Sequence, residues 1–316
     1  LVPMDNFIAT PVCWIVTEGM AGTENQCLGV AEALGVQPVV KKIKLSMPWN
    51  FFSPYLGFET AATFLPRLSP PWPDLLLASG RKSIAAARYI KRRSGGRTFT
   101  VQIQDPRVCP KQFDLVAVAA HDPTRGENVI VTDAAPNRIT PEKLAEARQQ
   151  FPQFAALPQP HVAVLIGGDS KAHRLTRPIL ERLVEQLRDL HAGLMITASR
   201  RTGAAHETFL RESLRGSNIF FWDGTGPNPY LGMLAWADAI LVTNDSVSML
   251  SDDASTGKPV YSIALAGGGR RLDLLHQNLM DKGIVRPFAG ALDHWTYAPL
   301  RDSALIAAEI RKRWRG

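Results

Sequence analysis

The chain has 316 residues, which at roughly 150 residues per domain points to two domains. Hydrophobic residues make up 45% and charged residues 21%, a globular balance that excludes a disordered, collagenous or coiled-coil chain. Lys and Arg number 36 against 29 Asp and Glu, a net charge of +7. The basic residues fall in short clusters such as Lys91-Arg92-Arg93 and Arg311-Lys312-Arg313, with no zinc finger or RNA-binding signature, so no nucleic-acid partner is expected.

Three scattered cysteines, Cys13, Cys27 and Cys109, are too few for a disulfide framework or a structural zinc site. No apolar run approaches the roughly 20 residues of a membrane-spanning helix. Leu1-Val2-Pro3 precede Met4, which reads as the start, and no secretory signal follows. A cytoplasmic protein is expected, with a peripheral membrane contact as a further option.

Apolar runs with β propensity alternate with helical patterns along the chain. In the first half, strands are expected at 12–17, 74–78, 98–103, 114–118 and 128–132, and helices at 23–34 and 82–93. Residues 45–73 interrupt the alternation with an irregular stretch rich in proline and aromatics. It reads either as a packed extended insertion or as a surface for an apolar acceptor or a membrane. In the second half, strands are expected at 161–166, 193–198, 218–222, 239–243 and 259–263. Ile179, Leu180, Leu183, Val184, Leu187 and Leu190 fall on one face of a helix over 177–190. Another helix covers 304–314. Such alternation predicts parallel sheets with covered faces.

Pro152, Pro158 and Pro160 mark a linker between the two series. The expected division is an N-terminal α/β domain over 4–152, a C-terminal α/β domain over 160–298, and a final helix over 299–316 that packs back on the first domain. Two Rossmann-like domains with parallel sheets would face each other across a cleft, where small ligands bind.

Several strand ends carry polar loops. Glu18-Gly19-Met20-Ala21-Gly22 opens the first helix, yet the third glycine of a dinucleotide fingerprint is absent. Ser79-Gly80-Arg81-Lys82-Ser83 places cations at a helix start that is already positive, which disfavours the fold unless an anion is near. Gly167-Gly168-Asp169-Ser170, with Lys171, His173 and Arg174 close by, could surround a diphosphate. Ser199-Arg200-Arg201-Thr202 repeats that chemistry after the next strand. In Thr243-Asn244-Asp245-Ser246-Val247-Ser248, polar residues cap a helix whose free N–H groups suit a phosphate.

Strand, Asn244-Asp245-Ser246, helix, Thr256-Gly257-Lys258-Pro259, strand resembles the nucleotide-sugar half of GT-B glycosyltransferases. The wider set narrows this further. Thr17-Glu18-Gly19, Ser79-Gly80-Arg81, Gln104-Asp105-Pro106-Arg107, His121-Asp122, Gly167–Ser170, Ser199–Thr202 and Thr243–Met249 together resemble the mitochondrial-fission "elongated mitochondria" family, in its bacterial type. The plant member of that family acts in dynamin-dependent mitochondrial division. The resemblance implies a GT-B-like fold and a nucleotide-diphosphate sugar bound by Gly168, Ser170, Arg174, Ser199, Arg200, Thr202, Asn244, Asp245, Ser246 and Ser248. It departs from the GT-B pattern at Asp252-Asp253, where such enzymes often carry a glutamate.

The expected activity is metal-independent glycosyl transfer, with no cofactor beyond the donor sugar. Candidate bases are Asp105, His121 and Glu18. A lipid-linked or membrane-surface acceptor would suit the aromatic 45–73 stretch. The alternatives are a non-hydrolysing nucleotide-sugar epimerase and a non-catalytic scaffold on the same fold.

Overall fold

A computed structural model describes residues 11–314; the start at Met4 lies outside them. The chain divides into two compact units. One runs to Arg138 and takes up the chain again from Arg301; the other is Ile139–Leu300.

In the first unit, strands β1 (Cys13–Thr17), β2 (Pro38–Lys42), β3 (Leu75–Ser79), β4 (Phe99–Ile103), β5 (Leu115–Ala119) and β6 (Val129–Thr132) form one six-stranded sheet. Its order is β2-β1-β3-β4-β5-β6 and every pairing is parallel. Strand side chains alternate between faces. Cys13, Ile15, Leu75 and Leu77 therefore join one core with Cys27, Val30 and Ile306. Trp14, Val16, Leu76 and Ala78 join another with Ile84, Ile90 and Phe64. Helices α1 (Ala21–Leu34) and α2 (Ser83–Arg93) supply residues to these two cores.

The second unit opens with α3 (Pro141–Gln150). Thr140 caps it by accepting from the Lys143 N–H at 3.2 Å, and Pro141 fills the first helical position. α3 packs on α6 (Tyr230–Trp236), where the Arg148 guanidinium stacks 3.9 Å from the Trp236 ring. It therefore belongs with the second unit, although the boundary expected at 152–160 lies beyond it.

Strands β7 (His161–Ile166), β8 (Gly193–Ala198), β9 (Ile219–Phe221), β10 (Ala239–Thr243), β11 (Val260–Ile263) and β12 (Val285–Pro287) make the second six-stranded sheet, in the order β9-β8-β7-β10-β11-β12. All its pairings are parallel. Helices α4 (Arg177–Asp189), α5 (Ala204–Ser213), α7 (Val247–Ala254) and α8 (Arg270–Asp281) complete this unit. Leu180, Leu183, Val184 and Leu187 of α4 are buried against Val162, Val164 and Leu194.

The last helix, α9 (Asp302–Arg313), packs on α1 in the first unit. Ser303 Oγ donates to the Asn137 carbonyl at 2.6 Å, and the Asp302 carboxylate accepts from the Ala134 N–H at 3.0 Å. Among the described residues no helix is long and apolar enough to cross a membrane.

Candidate functional site

Strand order locates the sites. In an open parallel sheet, ligands bind beyond the carboxyl ends of the strands, where the winding reverses. In the second unit that point lies between β7 and β10, which pair as neighbours. The loops leaving them are 167–170 and 244–246.

These two loops and the β8 exit are knitted together by close backbone approach. Gly167 N–H donates to Thr243 Oγ1 at 2.7 Å, and Gly168 N–H to Asp245 Oδ2 at 3.1 Å. A Cβ at Gly167 would sit 2.2 Å from Asp245 Oδ1, and one at Gly168 would sit 2.1 Å from the Arg201 carbonyl oxygen. Two glycines are required because each faces an atom at a distance no Cβ tolerates.

Asp245 has a side chain with no exposure, and Arg201 Nη1 lies 2.7 Å from its Oδ2. The Arg201 side chain is 40% exposed. Asp245 Oδ1 is buried and has no hydrogen-bond partner among the described residues. In the same unit His173 Nε2 and His276 Nε2 share that condition. His276 sits on α8, and its pKa is lowered, chiefly by burial. The charge of His173 adds to this, while the Asn244 backbone, Asp273 and Asp245 oppose it. Native interiors leave few polar atoms unsatisfied, so three in one neighbourhood make it a candidate site.

Most hydroxyls expected to hold a donor are engaged in building these loops. Ser246 Oγ caps α7 by accepting from the Met249 N–H at 3.3 Å. Thr202 Oγ1 donates to the Gly167 and Ile166 carbonyls. Ser199 Oγ accepts from Arg201 N–H at 3.2 Å, and Ser170 Oγ from His173 N–H at 3.0 Å. Asn244 Oδ1 accepts from Leu265 N–H at 2.9 Å. Ser248, half-buried in the first turn of α7, keeps its hydroxyl free of described partners. Arg174 wraps back on the Ser170 and His173 carbonyls. Arg200 is exposed and pairs with none of the described residues; the arginine on Asp245 is its neighbour Arg201.

At the far end of α7, Tyr230 OH donates to Asp252 Oδ2 at 3.1 Å. Burial raises the Asp252 carboxyl to about 7. Asp253 is raised well above its ordinary value, first by burial and then by Asp252. A neutral acid suits the carbonyl end of a helix better than an anion does.

In the first sheet the winding reverses between β1 and β3. Glu18 follows β1, and its carboxylate lies 3.2 Å from Lys82 Nζ after β3. That pair relieves the conflict of a lysine at a helix start. Gly19 and Gly80 take φ of +90° and +92°, which favours glycine. Gln26 Oε1 accepts from Gln104 Nε2 at 3.0 Å and Ser79 Oγ at 3.4 Å. Gln104 and Arg107 have φ of +74° and +57°, sparse conformations for side-chain-bearing residues that concentrate at functional loops. Asp105, between them, is half-buried; its Oδ1 accepts from Arg107 N–H at 2.9 Å and Thr124 Oγ1 at 2.7 Å. His121 and Asp122 have buried side chains 3.9 Å apart. The three base candidates therefore occupy separate settings: a switch-point ion pair, a strained turn and a buried pair.

Sequence reasoning missed two contributors. Adjacent arginines are equivalent in sequence, and only the turn geometry brings Arg201 onto Asp245. His276 lies outside every strand-end motif; its only signal is a histidine on the apolar face of α8, ordinarily a core position.

The sequence pattern of the family described as "Mitochondrial fission ELM1" matches residues 21–314. The "Mitochondrial fission protein ELM1" of Arabidopsis thaliana is 28% identical, covering 94% of this chain and 90% of its own length. Among solved structures, the UDP-GlcNAc 2-epimerase of Methanocaldococcus jannaschii, in complex with UDP-GlcNAc and UDP, superposes with a TM-score of 0.53 at 10% identity, covering 95% of this chain and 99% of that one. The spinosyn forosaminyltransferase SpnP gives 0.51 at 14% identity, over 96% and 94%. These likenesses place the fold in the GT-B class of glycosyltransferases and epimerases. With the family pattern spanning 21–314, the chain belongs to the mitochondrial fission ELM1 family.

Proposed function

We propose that the second unit binds a nucleotide-diphosphate sugar at the β7/β10 switch point and that the protein transfers the sugar. The observation that carries this is the Gly167-Gly168 loop, drawn onto Asp245 and Arg201 beside three buried polar atoms without partners among the described residues. Backbone N–H groups at the start of α7 would face the diphosphate. Arg201, Arg200 and Arg174 would stabilise charge on the leaving group without a metal. Asp245 would hold Arg201 in place and accept from the ligand through Oδ1. Both the epimerase complex with UDP-GlcNAc and UDP and the forosaminyltransferase are consistent with this class of ligand.

Inverting glycosyl transfer also uses a base on the acceptor hydroxyl. Asp105 fits best, because one carboxylate oxygen is anchored in the turn and the other remains for substrate. His121 and Glu18 are weaker choices, since one is buried and the other is paired with Lys82. An acceptor carried at a membrane surface matches the exposed aromatics of 47–65.

The test is a thermal-shift panel of uridine, guanosine, adenosine and cytidine diphosphates and their sugar conjugates. A ligand at 100 times its Kd adds about 2.7 kcal/mol to the folded state. One nucleotide series should raise Tm in the wild type and lose its effect in Arg201→Ala. A product of unchanged mass and inverted sugar stereochemistry would assign an epimerase instead. Binding with neither reaction would assign the scaffold.

A further inference from the structure

The stretch 45–73 packs Leu45, Phe64 and Leu68 into the core of the first unit and leaves other large apolar side chains in solvent. Phe58 is 88% exposed, Phe51 71% and Tyr55 70%; Met47, Phe52 and Leu65 are each more than half exposed. Apolar groups of this size gain from leaving water, so six of them held in solvent between residues 47 and 65 mark a contact surface.

The stretch is held firmly. Arg88 donates to the Pro54 and Leu56 carbonyls, each at 2.8 Å, and to the fully buried Glu59 carboxylate at 2.9 Å. Trp49 Nε1 donates to the Gly57 carbonyl at 3.0 Å, and Ser53 Oγ to the Arg81 carbonyl at 3.2 Å. Phe58 has φ of +60°, a conformation that bulky residues avoid, and the anchored turn maintains it. The backbone is thus fixed with its rings pointed outward.

The charges select the partner. Between residues 38 and 73 the only acid is Glu59, which is consumed by Arg88 and Arg92. Lys44, Arg67 and Arg81 are exposed and pair with none of the described residues. Aromatic rings beside unpaired cations match a bilayer interface, where rings settle at headgroup depth and cations meet anionic lipid. A second copy fits poorly, because the same unpaired cations would meet each other.

We propose that 47–65 is a membrane-contact surface that seats Phe51, Phe52, Tyr55 and Phe58 in an anionic phospholipid interface. It stands independently of the donor site.

The test is co-sedimentation of the full chain with vesicles of phosphatidylcholine, with and without 30% phosphatidylglycerol. Binding should require the anionic lipid and weaken at high salt. It should fall at least tenfold in Phe51→Ser combined with Phe58→Gly. Glycine suits the positive φ at 58, so Tm should not fall and lost binding cannot be ascribed to misfolding. Leu305→Ser, at an exposed leucine on α9, should bind as the wild type does. Three outcomes would overturn the proposal: no vesicle binding by the wild type, undiminished binding by the double variant, or dimerisation abolished by that variant without vesicle binding.

Discussion

Arg201 and Asp245 join two strand-end loops of the second unit, with Nη1 2.7 Å from Oδ2. The partners are unequal, since the carboxylate is wholly buried and the guanidinium partly open to water. Asp245 also accepts from Gly168 N–H. One carboxylate thereby fixes a glycine turn and orients a cation, while its second oxygen has no partner among the described residues.

Removing that carboxylate should destabilise the second unit. Asp245→Ala leaves a buried N–H without an acceptor, a loss of about 1–3 kcal/mol. At about 2–4 °C per kcal/mol for a unit of this size, Tm should fall by several degrees. Asp245→Asn keeps an acceptor for Gly168 and should fall less. Equal Tm values for wild type and Asp245→Ala would refute the role.

Gly168→Ala should be worse tolerated than Gly167→Ala. The Cβ at 168 would meet the Arg201 backbone at 2.1 Å, whereas at 167 it meets the Asp245 side chain at 2.2 Å. A side chain yields more readily than a backbone, so we expect a loss above about 3 kcal/mol at 168, seen in denaturant titration. The reverse ranking would show that the three loops are not locked together as described.

Stability should depend on pH through Asp252. Its folded value is about 7 against an ordinary 3.8, so between these limits the folded state binds more protons than the unfolded. Stability then falls as pH rises from about 4 to about 7. Asp252→Asn should be more stable than wild type above pH 7, by about 2 kcal/mol, less than the full linkage value for a half-buried carboxyl. The advantage should vanish near pH 4. His276 acts with the opposite sign: its lowered pKa gives a contribution complete above about 6.5 and lost as pH falls. Melting curves of both proteins from pH 4 to 8 would separate the two, and a constant difference would sink the assignment to Asp252.

The strands legible in the sequence were those that alternate or run apolar. His161–Ile166 and Gly193–Ala198 match their expected spans residue for residue. Pro38–Lys42 was missed because PVVKK begins with proline and ends in lysines, and only its place at the edge beside β1 makes it a strand. Val285–Pro287 is likewise a three-residue edge. Helices 141–150, 204–213 and 230–236 bury few residues or are short, so their periodicity is weak. At the site, glycines and caps were legible because they act locally. The Arg201–Asp245 pair and His276 depend on which strand ends are neighbours, which local pattern does not encode.

Thiol reactivity offers a simple check of the first core. Burial raises Cys13 to about 12 and pushes Cys27 higher still, while Cys109 is exposed. The thiolate is the reactive form. A chromogenic disulfide reagent should therefore titrate one thiol in the native protein and three after denaturation. Rapid native reaction of two or three thiols would contradict the packing around β1 and α1.

Calorimetric titration of UDP, GDP and ADP into wild type and Arg201→Ala asks whether the loops at the β7/β10 switch point bind a nucleoside diphosphate, as proposed. One nucleotide should bind the wild type with one-to-one stoichiometry and bind the folded variant at least tenfold more weakly. No heat with any nucleotide at millimolar concentration, or equal affinity in the variant, would contradict it.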